Sequence, residues 1–228
     1  MNSLLDRIVF IPVVHTDTES VERVRRIIRE EDPEVVAVEL DRQRYEILQR
    51  GDDSRTEDAL PPQGDVVHNL FYQIARLEEN LGDMTGSDAG AEMLAAIEEG
   101  RELGAKIALV DRPIQETMQA FMRVPLDEVY AFFQVLPAAE DDAEGQGIDT
   151  LLTMLRDESQ VEEIVQQFTE EFPNLADALI GQRDMYVAEA LKTILNDVDG
   201  QIVVVLGAGH MKGVKRSLRD MLEREAGS

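Results

Sequence analysis

The sequence contains no cysteine, which excludes disulfides, thiolate metal sites and a cysteine nucleophile. Any metal would have to be held by histidine and carboxylate. Histidine is itself scarce, with His15, His68 and His210 the full set. Lysine is hardly more common: of 22 basic side chains only Lys106, Lys192, Lys212 and Lys215 are lysines. Long apolar runs are also missing. Asp6 and Arg7 interrupt the N-terminal stretch, and the run after them is too short to cross a bilayer or to serve as a signal peptide. A soluble, cytoplasmic protein with no membrane segment is expected. The GxSxG, HExxH and Walker patterns are absent too, so none of those chemistries competes for the reading below.

Acid is abundant: 47 aspartates and glutamates bring the formal net charge to −25. They are scattered through nearly every segment, which marks a general surface property and not one binding patch. Such a surface repels itself in dilute buffer and is screened at molar salt, where the Debye length is about 3 Å. This predicts a protein from a high-salt cytoplasm, with a stability that climbs with salt. It also excludes nucleic acid as a partner, because no basic stripe exists to neutralise phosphates. With 228 residues, 43% of them hydrophobic, the chain is expected to be one domain over 1–228.

The most informative stretch is Gln201 to Lys212. Ile202 to Leu206 are continuously apolar and run into Gly207, Ala208, Gly209 and His210, which predicts a strand buried on both faces with a histidine at its carboxyl end. Open α/β sheets place their ligand sites at that edge. Ile8 to Val14 followed by His15 has the same form. Between them, helical spacing of Val21, Val24, Ile27 and Ile28 and a second apolar run from Val35 to Leu40 predict a βαβ unit with parallel pairing. Ile107 to Val110 supplies a third buried strand in chain order, and Ile202 to Leu206 the fourth.

Glu39 lies inside the second of these runs, where an unpaired carboxylate costs several kcal/mol. It is either in a structural salt bridge, with Arg42 or Arg44 the near candidates, or part of a site at the edge of His15. Asp111 and Arg112 stand just past the third strand. Asp111 orients Arg112, bonds a backbone N–H, faces the site, or caps the helix opening at Pro113. From 113 to 198 the patterns are helical throughout, including a predicted long helix from Leu175 to about Leu195 that carries Arg183 and Asp184. Arg183 either reaches the site carboxylates or lies on a solvated face. Gly207, Gly209 and Gly213 invite a dinucleotide reading, but the strand and acidic residue it needs about 20 positions on are missing.

The expected fold is α/β, with α+β as the alternative: a central, mainly parallel sheet of at least four strands and a large helical insertion at about 113–198. Two histidines and a carboxylate at one sheet edge would suit a divalent transition metal and leave positions for water and substrate.

Several stretches together resemble one family. They are His15 to Val24, Val35 to Tyr45, Gly90 to Ile114, Arg183 to Tyr186 and Val203 to His210, in order and over nearly the whole chain. They look like the TraB/PrgY family of pheromone shutdown proteins, related to the Tiki metalloproteases. The resemblance implies a metal-dependent peptidase or hydrolase with His15, Glu39 and His210 as ligands to Mn, Co, Zn or Fe. Arg183 or Arg112 would stabilise an oxyanion, and a peptide or small molecule would be the substrate. It also draws Arg42, Tyr45, Glu92, Asp111, Asp184, Gly207 and Gly209 into the candidate site. Its alternative is a protein that sequesters a peptide or small ligand without turnover; a homo-oligomeric scaffold is a third reading. Two departures stand out: Pro12 replaces the glycine of the first G-x-x-H motif, and Thr117 to Ala120 lacks an arginine usual there. The C-terminal membrane helices of many archaeal relatives are not in this sequence.

Overall fold

The four apolar runs form four strands, β1 (Ile8–Val13), β2 (Val35–Val38), β3 (Lys106–Leu109) and β4 (Ile202–Gly207), in a computed structural model that describes residues 2–13, 18–50, 90–135 and 158–226. The predicted helix at 66–81 with His68, the one at 148–156, and His15 lie outside the described residues. The helices are α1 (Asn2–Leu5), α2 (Thr18–Glu31), α3 (Arg42–Arg50), α4 (Ala91–Glu102), α5 (Ile114–Phe121), α6 (Leu126–Val135), α7 (Glu158–Glu171), α8 (Pro173–Ala176), α9 (Gln182–Asp197) and α10 (Met211–Ala226). Among the described residues no helix is long and apolar enough to cross a membrane.

All strand pairs are parallel, in the order β1-β4-β2-β3. The fold is therefore α/β as expected, with one correction. β1 and β2 are parallel but not adjacent, because β4 lies between them, pairing Ile8 and Val35 alike with Ile202. β4 is buried at all six positions, so each face of it needs cover and each edge needs a partner, and only a central place supplies both. Pro12 sits on β1, opposite Leu206. That strand is at the edge of the sheet, where a residue without an N–H is tolerated.

Because side chains alternate along a strand, each strand feeds two cores. Val36, Val38, Val203 and Val205 face Val24 and Ile28 of α2 and Met93, Ala96 and Ile97 of α4. Val35, Ala37, Ile202, Val204 and Leu206 face Val187, Ala188 and Leu191 of α9 and Val214 and Leu218 of α10. Each fully buried aliphatic side chain contributes roughly 1.5–3 kcal/mol, so these three layers are the main source of stability. Gly100 in α4 lets the helix press on the sheet: a Cβ there would sit 2.8 Å from the Val36 side chain and 2.9 Å from that of Ile107.

Between β3 and β4 the described residues are helical, with a third cluster of their own around Phe121, Val129, Phe172 and Leu175. The Phe132 ring meets Phe168 and Phe172 edge-on, with centroids 5.6 and 5.4 Å away. The long helix expected from Leu175 is not uniform. After α8 one π-helical turn, Asp177–Gly181, precedes α9, and it changes which way the residues that follow point.

Candidate functional site

In a parallel sheet all carboxyl ends share one edge, and ligand sites of open α/β folds lie there. Here β2 runs into Glu39, β3 into Asp111 just beyond Val110, and β4 into His210 through a 3₁₀ turn, Ala208–His210. α9 crosses the same edge and delivers Arg183 and Asp184. These residues meet.

Glu39 is 4% exposed. Its Oε2 accepts the Gly207 N–H at 2.7 Å and its Oε1 accepts from Arg183 Nη2 at 2.6 Å. The partner of the buried glutamate is thus Arg183, 144 positions away, and neither Arg42 nor Arg44. The same Nη2 donates to Asp111 Oδ2 at 2.6 Å, and Arg183 Nε donates to Asp111 Oδ1 at 3.2 Å. Arg44 Nη2 also pairs with Asp111 Oδ2, while its Nε donates to Asp41 Oδ2 at 2.7 Å. Asp41 caps α3, its Oδ1 accepting the N–H groups of Gln43 and Arg44. On the far side of Glu39, His210 Nδ1–H donates to Asp184 Oδ1 at 2.6 Å, and His210 Nε2 stands 3.4 Å from Glu39 Oε1.

The charges are set by burial and by these partners. Burial pushes the Asp111 carboxyl up, but the Arg183 and Arg44 guanidiniums outweigh it and hold it well below the usual carboxylate range. Asp184 goes the other way: burial raises it and the His210 hydrogen bond only partly offsets this. Burial would lower Arg44, yet Asp111 and Asp41 keep it above its ordinary value.

Asp111 is not the cap of α5. Pro113 holds that position without a side-chain bond, and Asp111 Oδ1 instead takes the Arg112 N–H at 2.7 Å. Arg112 is buried, and that burial lowers its pKa. Its Nε donates to Thr117 Oγ1 (3.2 Å), its Nη1 to Gln182 Oε1 (2.9 Å) and its Nη2 to the Ala178 carbonyl (2.8 Å). That carbonyl belongs to the π turn, so Arg112 ties β3 to the turn that presents Arg183 and Asp184.

The remaining candidates are placed apart from these contacts. Arg42 is exposed on α3 and pairs with Glu46. Tyr45 packs against the α2/α4 layer, its hydroxyl accepting from Arg101 and Gln49. Glu92 is fully buried in the first turn of α4. Gly209 is in the 3₁₀ turn, with room for a Cβ 3.6 Å from Val165, so its glycine is not required by space. Gly207 is the exception, since its N–H is the donor to Glu39 Oε2. Residues not foreseen are Asp41, Thr117 and Gln182; Asp41 had a signal, a carboxylate two positions after Glu39 at the close of an apolar run.

Among the described residues no group of three histidines or carboxylates gathers as a metal-holding set. What gathers is a pair. Where the Asp184 carboxylate accepts, His210 Nδ1 carries the proton, and its Nε2 stands 3.4 Å from Glu39 Oε1. The 3.4 Å separation has room for a shared cation, either a second imidazole proton or a metal, beside the Arg183 hydrogen bond to Oε1. Bonds of roughly 2.0–2.1 Å to one tetrahedral ion would put two ligand atoms about 3.3 Å apart, and an Nδ1–H held by a carboxylate is the usual outer support of a ligating histidine. The chemistry of this donor pair fits a divalent ion.

The chain is 29% identical over 218 residues to an uncharacterised protein of Methanocaldococcus jannaschii, covering 94% of this chain and 54% of that one. It is 22% identical over 246 residues to the TraB domain-containing protein of Bos taurus and to that of Mus musculus, covering 92% of this chain and 62% of each. It thus spans between half and two thirds of the length of these relatives. The model of the TraB/PrgY/gumN family matches residues 8–226, and the chain belongs to that family.

Proposed function

We propose that the carboxyl edge of the sheet is a metal-dependent hydrolytic site acting on a peptide or similar small substrate, in the manner of the Tiki-like proteases. The observation that carries this reading is His210, fixed through Nδ1 by Asp184 so that Nε2 faces Glu39 Oε1 at 3.4 Å. His210 and Glu39 would hold a divalent ion (Mn, Co, Zn or Fe), with His15, which lies outside the described residues, as third ligand. When bound, such an ion supplies Lewis-acid polarisation of a carbonyl and acidifies a water toward neutral pH.

The protein's own contribution is arrangement. The Gly207 N–H and Arg183 fix the two oxygens of Glu39, which stops the carboxylate from rotating. Asp184 holds the Nδ1 proton. Arg183, with a side chain 19% exposed, is the cationic group that would meet a developing oxyanion. Arg112, with its bonds made inside the protein, acts by placing Arg183. The scattered acid supports a high-salt cytoplasm as the working medium.

Elemental analysis of the protein purified in molar salt, beside mass-spectrometric scoring of a short-peptide library, tests the proposal. About one transition-metal ion per chain and cleaved peptides are expected, with both lost in His210→Ala and Glu39→Gln. A wild-type protein that stays metal-free after incubation with Mn, Co, Zn and Fe(II) salts overturns it. Metal-free protein that retains intact peptide supports the sequestering alternative.

A further inference from the structure

The glycine pattern after β4 has one member that neither the strand end nor the turn accounts for. Gly213 lies in the first turn of α10, where glycine is the poorest helix former after proline. A Cβ built there would stand 2.7 Å from Asp184 Cγ and 3.3 Å from Asp184 Cβ, and would overlap Asp184 Oδ2. The carboxylate that holds His210 therefore lies flat against a helix backbone that has no side chain to keep it off. Asp184 is 5% exposed, so it has little open space into which to swing. The clash reaches Cγ, which only rotation about χ1 moves, and that rotation carries Oδ1 away from His210 Nδ1.

We propose that Gly213 is a positioning residue of the site. Its missing side chain makes the seat in which Asp184 fixes the proton of His210 on Nδ1 and so aims Nε2 at Glu39. The inference rests on the reading above only for its purpose. Its test reads the histidine and the seat, not metal or turnover, so the two stand or fall separately.

The test is a double-mutant cycle of Gly213→Ala and Asp184→Ala, with 15N-histidine NMR of each protein after treatment with EDTA, so that no metal occupies Nε2. His210 is assigned by its loss in His210→Ala, and spectra are taken at a pH where the ring is neutral. In an ordinary helix Gly→Ala raises stability. In the Asp184→Ala background it does so here, by roughly 2–4 °C in Tm. With Asp184 present the same methyl lowers Tm by about 5 °C or more, and His210 shifts from the Nδ1–H tautomer toward Nε2–H. A rise in Tm in both backgrounds with an unchanged tautomer overturns the proposal. Should Gly213→Ala alone not fold, a folded double variant still supports it and an unfolded double variant overturns it.

Discussion

Two buried glutamates serve opposite ends of this architecture, and only one of them is in the candidate site. Glu99 of α4 is 2% exposed, and its two oxygens accept from Arg29 Nε and Nη2 at 2.6 Å each, with Arg25 Nη1 at 3.6 Å. The cluster clips α2 to α4 and stays between those two helices: Arg25 runs on only to the exposed Glu98 of α4, 2.7 Å away, and both arginines reach solvent. Glu39 is equally buried but lies in an open-ended chain. Its Oε1 is shared by Arg183 and His210, Arg183 is shared with Asp111, and Asp111 with Arg44. A cluster confined to two helices fastens them together. A shared chain fixes several reactive groups relative to one another, which a clip between two helices does not need.

The largest effect that would separate the two regions comes from Arg183. Arg183→Met takes the guanidinium from Glu39 and leaves Asp111 with Arg44 alone, and breaking a buried ion pair costs about 3–5 kcal/mol; urea denaturation should show that loss. Glu99→Gln comes next. It leaves behind only arginines that turn to water, so the cost is about 1–2 kcal/mol, the worth of charged hydrogen bonds at a half-exposed place. Equal losses in the two variants would mean that the carboxyl edge is another structural clip.

Much of this was legible because strand burial is written locally. Four apolar runs gave four strands with ends shifted by one or two residues, and the carboxylate of Glu39 inside a strand and the terminal His210 pointed to the edge where the two come together. Pairing is not written locally. Nothing near Val35 says that Ile202 and not Ile8 lies beside it, although the unbroken apolar character of β4 hinted at a central strand. The partner of Glu39 was hidden for the same reason. Arg42 and Arg44 are close in sequence, but α3 begins at Arg42 and carries Arg42 outward to Glu46 and Arg44 to Asp41 and Asp111. Arg183 and Asp184 lie about 100° apart on a helix, which forbids pairing with each other. It does not prevent both from reaching one site when the helix crosses the sheet edge between Asp111 and His210. The π turn that sets this phase depends on Arg112 and Ala178, a contact no periodicity reveals.

Acid titration gives the smallest and sharpest contrast. The Asp111 carboxyl is raised by burial but held well below its usual range by Arg183 and Arg44, and Glu99 is lowered by its hydrogen bonds from Arg29. In both cases the unfolded chain takes up the proton first as pH falls. Each carboxylate therefore contributes stability that is fully present above the ordinary carboxylate pKa and is lost as pH drops through the depressed folded value. One such proton steepens the acid limb by at most about 1.4 kcal/mol per pH unit. Stability measured from pH 6 downward should fall less steeply below about pH 4 in Asp111→Asn and in Glu99→Gln than in the wild type. Only Asp111→Asn should also release Arg44 and Arg183 together, and with them the 3.4 Å approach of His210 to Glu39. A Glu99→Gln protein whose His210 NMR signals moved as far as those of Asp111→Asn would show that the two regions are one coupled network.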